Sequence, residues 1–159
     1  MASSIEDGEE KNKVNEIKTF FVPFTSREIK ENITINTNTL SQSSKEQIIN
    51  QARKFYSQGN ILEAAKLYQY FIDQGFKDHR VFSNYGIILS DLGKSKEAEM
   101  SLRKAVKIKP NFPEAYYNLG LLLKNLGKSQ EALDSYLKVI QINPSFSNIY
   151  PVITRLLLE

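Results

Sequence analysis

The chain has 159 residues, 41% hydrophobic and 25% charged, with seven glycines and five prolines, the balance of a globular protein with room for one domain and a tail. It carries no cysteine and one histidine, His79, which excludes disulfide scaffolds, thiolate zinc sites, iron–sulfur clusters, cysteine nucleophiles and multi-histidine metal centres. The formal charge of +3 is local: residues 1–44 are net −2, residues 45–78 net +1, residues 79–112 net +4, and residues 113–159 neutral.

The first stretch, residues 1–44, opens on Met1-Ala2-Ser3-Ser4-Ile5-Glu6-Asp7-Gly8-Glu9-Glu10, acidic where a secretory signal is basic, and no apolar core comes after it. The run Phe20-Phe21-Val22-Pro23-Phe24 falls far short of the roughly 20 apolar residues that cross a bilayer. A chain with neither signal nor span is expected in the cytoplasm, without membrane contact. The polar run Asn32–Ser44 cannot bury a core, so the leader is read as largely disordered. Its exception is the Phe20–Phe24 cluster, an apolar plug expected to dock on the folded part of the chain rather than to recruit something else.

Beyond the leader the sequence repeats itself every 34 residues. Gly59, Gly93 and Gly127 share this spacing, as do Glu63, Glu97 and Glu131, Ala64, Ala98 and Ala132, and Asn50, Asn84 and Asn118. A fixed period of this length means a fold built by stacking one unit. The units are residues 45–78, 79–112 and 113–146, and apolar residues at three- and four-residue steps on either side of each central glycine predict two helices per unit.

In the first unit, Ser44 with Gln47 and Asn60 with Glu63 have capping-box spacing, and Asp78 is placed to cap the helix that opens the second unit. In the second unit Phe82, Tyr85, Ile88 and Leu89 face one way, and Ala98, Leu102, Ala105 and Val106 answer them from the second helix. The third unit repeats this with Tyr116, Leu119 and Leu123 against Ala132, Tyr136 and Val139. The small residues Ala52, Gly86 and Gly120 opposite Ala64, Ala98 and Ala132 let the two backbones approach closely. The central glycines stop each first helix, Pro110 and Pro144 stop the second helices, and the repeated Glu meets the positive end of the helix dipole. Residues 147–159 begin like a fourth unit, but Pro151 leaves only a short capping helix from about that residue. Its outer face is poor in polar groups, which points to self-association there or to descent from a longer chain.

Over residues 45–146 the pattern resembles the tetratricopeptide repeat (TPR) family. Phe82-x2-Tyr85-Gly86-x2-Leu89, Ala98-x3-Leu102 and Pro110 fit its spacing, and Tyr116-x2-Leu119-Gly120-x2-Leu123, Ala132-x3-Tyr136 and Pro144 fit it better. The first unit departs from it at Ile48, Gln51 and Phe76, as a terminal repeat does. The leader, over residues 6–24, resembles leaders that precede such arrays in some bacterial proteins. The resemblance implies an all-α fold: an α-solenoid of three helix-turn-helix units, with a short C-terminal helix and a mostly disordered leader. It implies a non-catalytic interaction module that binds a peptide or helix of a partner in a concave groove lined by the first helices. The second implied reading is a remnant or regulatory part of a transferase similar to the O-linked N-acetylglucosamine transferases.

Carried over from the family, the groove positions are Asn50, Arg53, Ser83, Asn84, Ile87, Asp91, Tyr117, Asn118, Leu121, Lys124 and Asn125. The asparagine column has two readings, an amide that bonds the backbone of a bound peptide or one that bonds between adjacent repeats. Family members that hold chaperone tails grip a terminal carboxylate with basic side chains. Here Ile49, Glu114 and Asn118 stand at three of those places, so that specificity is not expected.

Nothing in the sequence supplies an active site or cofactor. Gly93-Lys94-Ser95 and Gly127-Lys128-Ser129 imitate the end of a phosphate loop, but lack its first glycine and come after helices, so they are read as turns. His79 is expected at an exposed repeat boundary. The cations of residues 94–109 alternate with Glu97, Glu99 and apolar residues, which reads as a solvated helix face and makes nucleic-acid binding the least supported function.

Overall fold

The computed structural model describes residues 42–146 and 148–158, and every regular element among them is helical. The seven α-helices are, in order, α1 (Gln42–Ser57), α2 (Ile61–Asp73), α3 (His79–Asp91), α4 (Ser95–Ile108), α5 (Pro113–Asn125), α6 (Ser129–Ile142) and α7 (Ile149–Leu158). The strongest packing is within the pairs α1–α2, α3–α4 and α5–α6. Contacts of α2 with α3, α4 with α5 and α6 with α7 stack these hairpins in series. The fold is an all-α solenoid of helix-turn-helix units. The Phe20–Phe24 plug and most of the leader lie outside the described residues.

Each hairpin turn is closed by one backbone device. Gly59, Gly93 and Gly127 take φ of +79°, +73° and +73°, a left-handed conformation open to glycine without a Cβ penalty. The N–H of the residue after each glycine then donates back to the last turn of the first helix: Asn60 to Phe55 O at 2.9 Å, Lys94 to Leu89 O at 2.8 Å, and Lys128 to Leu123 O at 2.9 Å. The Gly-Lys-Ser sequences are thus interhelical turns. The same closure corrects one cap. Asn60 sits at φ −81°, ψ 65° with no side-chain capping bond, because the turn holds it outside the extended region from which a capping side chain reaches the helix.

Ser44 is likewise displaced from its expected role ahead of the helix, since α1 already begins at Gln42. The first-turn N–H groups have no intrahelical partner in any case, so starting earlier sacrifices no bond. Asp78 does cap α3, accepting from the Arg80 N–H at 2.8 Å. Pro151 lies in the first turn of α7, which starts at Ile149, where a missing N–H is harmless. His79 is half-buried rather than exposed, its ring edge-on to Phe112 at 4.7 Å. Burial lowers its pKa from the ordinary value against the pull of Asp78.

The core runs as connected clusters along the stack. Ile48, Ile49, Ala52, Ala64, Tyr68, Phe71, Val81 and Ile88 fill the first part, and Phe82, Ala105, Phe112 and Ala115 form the junction of the second and third hairpins. A third cluster joins Leu102, Leu119, Leu123, Tyr136 and Val139 to Ile149 and Leu156 of α7. The close approaches are real: a Cβ on Gly86 would stand 2.7 Å from Leu102 Cγ, and one on Gly120 would stand 2.5 Å from Tyr136 Cε1.

Candidate functional site

The first helix of each hairpin contributes to one shared concavity. A cavity of about 170 Å³ is walled by Tyr56 from the last turn of α1, by Gly86, Ile87, Ser90 and Asp91 of α3, by Leu102 of α4, and by Asn118, Leu121, Leu122 and Asn125 of α5. Helical spacing makes this wall: Ile87 and Asp91 lie four apart on α3, and Asn118, Leu121, Leu122 and Asn125 recur at three- and four-residue steps on α5. Aliphatic side chains form the floor. Amides and one carboxylate sit around them, and Tyr56 Oη donates to Asp91 Oδ2 at 2.8 Å, tying the end of α1 to the end of α3.

Five of the sequence-derived positions, Ile87, Asp91, Asn118, Leu121 and Asn125, meet at this cavity. Asn50, Arg53 and Lys124 are half-buried on α1 and α5 but do not wall it. Ser83 and Asn84 are fully buried within α3. Asn84 Nδ2 donates to Tyr68 Oη of the preceding hairpin at 3.3 Å, and Asn118 Nδ2 reaches Ser83 Oγ at 3.5 Å. For Asn84 this is the inter-repeat reading of the asparagine column, since an amide with no accessible surface cannot meet a ligand. Tyr117 is also sunk in the core, its ring 5.6 Å from Phe146 and 6.0 Å from Tyr136.

Sequence reasoning misses Tyr56, Ser90 and Leu122. Tyr56 and Ser90 share one column of the 34-residue register with Lys124, but Lys124 does not wall the cavity, so the register alone does not mark it.

Burial raises the Tyr68 hydroxyl well above its ordinary pKa, with the Asn84 bond opposing, so it stays a neutral hydrogen-bonding group at any physiological pH. Among the described residues no group of three or more His, Asp or Glu side chains is arranged to hold a metal ion. No helix among them is long and apolar enough to cross a membrane.

On the outer face, Arg103 and Lys104 of α4 meet neighbours, as do Lys109 and Lys128 at helix ends. Arg103 bridges Glu99 at 2.8 Å and Glu131 at 2.6 Å, and Lys128 reaches Glu99 at 2.8 Å. Lys104 and Lys109 lie over the rings of Phe82 and Phe112.

Comparison with known families agrees with this geometry. The model described as "TPR repeat" matches residues 86–127, and that described as "Tetratricopeptide repeat" matches residues 113–146. Residues 86–146 thus carry the tetratricopeptide-repeat pattern. Solved TPR structures superpose on the array at low identity. The first TPR domain of Spaghetti (RPAP3), bound to the HSP90 peptide SRMEEVD, matches with a TM-score of 0.70 and 20% identity over 75% of this chain and 94% of that one. MamA matches with a TM-score of 0.67 and 21% identity over 70% of this chain and 66% of that one. The Sgt2 TPR domain of Aspergillus fumigatus matches at 0.65 and 17% over 72% and 80%. At such identities the likeness is one of fold. None of the curated proteins matches the sequence.

Proposed function

We propose that this TPR array is a non-catalytic interaction module that takes an extended peptide segment of a protein partner into the concavity between α1, α3 and α5. The observation that carries the reading is the cavity itself: an aliphatic floor of Ile87, Leu121 and Leu122 with Asn125 and Asp91 around it. Apolar floor supplies area, and the exposed Asn125 amide, which both donates and accepts, suits a peptide backbone. A structural neighbour of the array holds a peptide, which agrees with this use of the fold. That peptide, SRMEEVD, is rich in carboxylates. With Asp91 in the wall and Glu114 on α5, we assign the groove of this chain to a segment of mixed apolar and polar character instead. A chain without cysteine suits a reducing compartment, and we place this activity in the cytoplasm.

The test is binding of a fluorescent peptide panel to the full chain, compared with Leu121→Asp in the groove and Leu137→Asp on the outer face. Leu121 is half-buried and Leu137 is 50% exposed, so both variants should stay folded. Binding lost in the first and kept in the second supports the groove. Equal binding in both removes it.

A further inference from the structure

We infer that the occupant of the concave groove is carried by the chain itself: the leader segment around Phe20-Phe21-Val22-Pro23-Phe24 inserts in cis and competes with outside peptides. The inference rests on the groove reading above and adds its ligand. Two features support it.

The first is size. An apolar cavity of about 150 Å³ accommodates a benzene ring. The groove cavity, about 170 Å³ over Ile87, Leu121 and Leu122, therefore has room for one phenyl side chain. Residues 1–41 contain three aromatic side chains, Phe20, Phe21 and Phe24, all within five positions. In an extended segment Phe20, Val22 and Phe24 fall on one face. Pro23 disfavours the helical conformation for Val22, so less freedom is lost on insertion.

The second is reach. Seventeen residues separate Phe24 from Gln42, where α1 begins. The cavity is touched by Tyr56, near the other end of α1, which at 1.5 Å per residue lies about 21 Å along the helix from Gln42. Seventeen residues span at most about 56–61 Å when fully extended, more than this distance. A short tether that can span its site gives an effective concentration in the millimolar range.

The absence of native cysteine allows one specific probe. A nitroxide on Ser26→Cys in the full chain should broaden the NMR signals of Leu121 and of the Asn125 side-chain amide beyond those of Leu137 on the outer face. The broadening should vanish in Phe20→Ser/Phe21→Ser/Phe24→Ser and in a mixture of spin-labelled chain with isotope-labelled, unmodified chain. The same triple variant should bind panel peptides about tenfold more tightly, because a tethered competitor of millimolar effective concentration has gone. Broadening at the outer face, broadening in the mixed sample, or unchanged panel affinity with silent groove signals would overturn the inference. In the last case panel binding that still depends on Leu121 leaves the groove reading intact, whereas no panel binding and no broadening defeats both.

Discussion

At the scale of single residues, the repeat explains one odd group. Tyr68 and Tyr136 occupy the same register two units apart, and both rings are fully buried. Tyr68 Oη has its partner in Asn84, sixteen residues on. The equivalent place for Tyr136 is Val152, and Tyr136 Oη has no hydrogen-bond partner among the described residues. A buried hydroxyl without a partner costs roughly 1–3 kcal/mol. Tyr136→Phe is therefore expected to raise stability by about 1 kcal/mol, whereas Tyr68→Phe, which removes the bond from Asn84 Nδ2, should lower it by a similar amount. Opposite shifts in the urea midpoint check this; shifts of the same sign would show that the two rings do not differ in this way. Gly120 decides a second contest. Alanine in a helix is favoured over glycine by about 1 kcal/mol. A Cβ there meets the rigid Tyr136 ring at 2.5 and 2.7 Å, an overpacking of about 1–3 kcal/mol. Gly120→Ala should thus be neutral to destabilising, and a clear rise in melting temperature would contradict the close approach of α5 and α6.

At the scale of elements, charge and capping act at the junctions. Burial pushes the Asp78 carboxyl up, but bonds from the Arg80 side chain and N–H outweigh it and hold the group below its ordinary value. Arg80 also reaches Glu46 of α1 at 2.6 Å, so this pair ties α3 to α1. A carboxylate with a depressed folded pKa contributes stability that is complete above its unfolded pKa, near 4, and is lost as pH falls through the lower folded value. Wild-type melting temperature should accordingly fall below about pH 4. Asp78→Ala, losing the cap as well, should be destabilised by roughly 1–2 kcal/mol at neutral pH and show a shallower acid slope. An unchanged slope would mean that other carboxylates dominate acid unfolding. Glu99 is held low first by Lys128, against the opposing effect of burial, and then by Arg103. Arg103 is half exposed, so Arg103→Ala should cost less than about 1 kcal/mol and the cost should shrink in high salt.

The elements themselves were legible because glycine at a fixed period and small residues opposite one another leave few ways to fold. What sequence could not place were contacts made across units. The burial of Asn84 depends on the Tyr68 hydroxyl above it, and Tyr56 enters the groove through Asp91, 35 positions away. Local periodicity carries no information about either.

At the scale of the molecule, the core is a series of clusters rather than one centre, so stability passes from neighbour to neighbour. Ile149 of α7 is fully buried against the cluster that holds Tyr136 and Val139, while Leu157 and Leu158 of the same helix are 66% and 83% exposed. The C-terminal helix is thus anchored by few side chains, and a mutation there should be felt by distance along the stack. Ile149→Ala removes buried methyl groups from this cluster, a loss of about 2–4 kcal/mol. In a one-dimensional array this loss falls on the interface it belongs to and is shared only with adjoining units. Native-state hydrogen exchange is expected to show the largest fall in protection in α5, α6 and α7, a smaller one in α3 and α4, and little change in α1 and α2. The same fall in all seven helices would mean that the array unfolds as one cooperative body. Coupling between the α7 end and the groove on α1, α3 and α5 would then be as strong as coupling within any single hairpin.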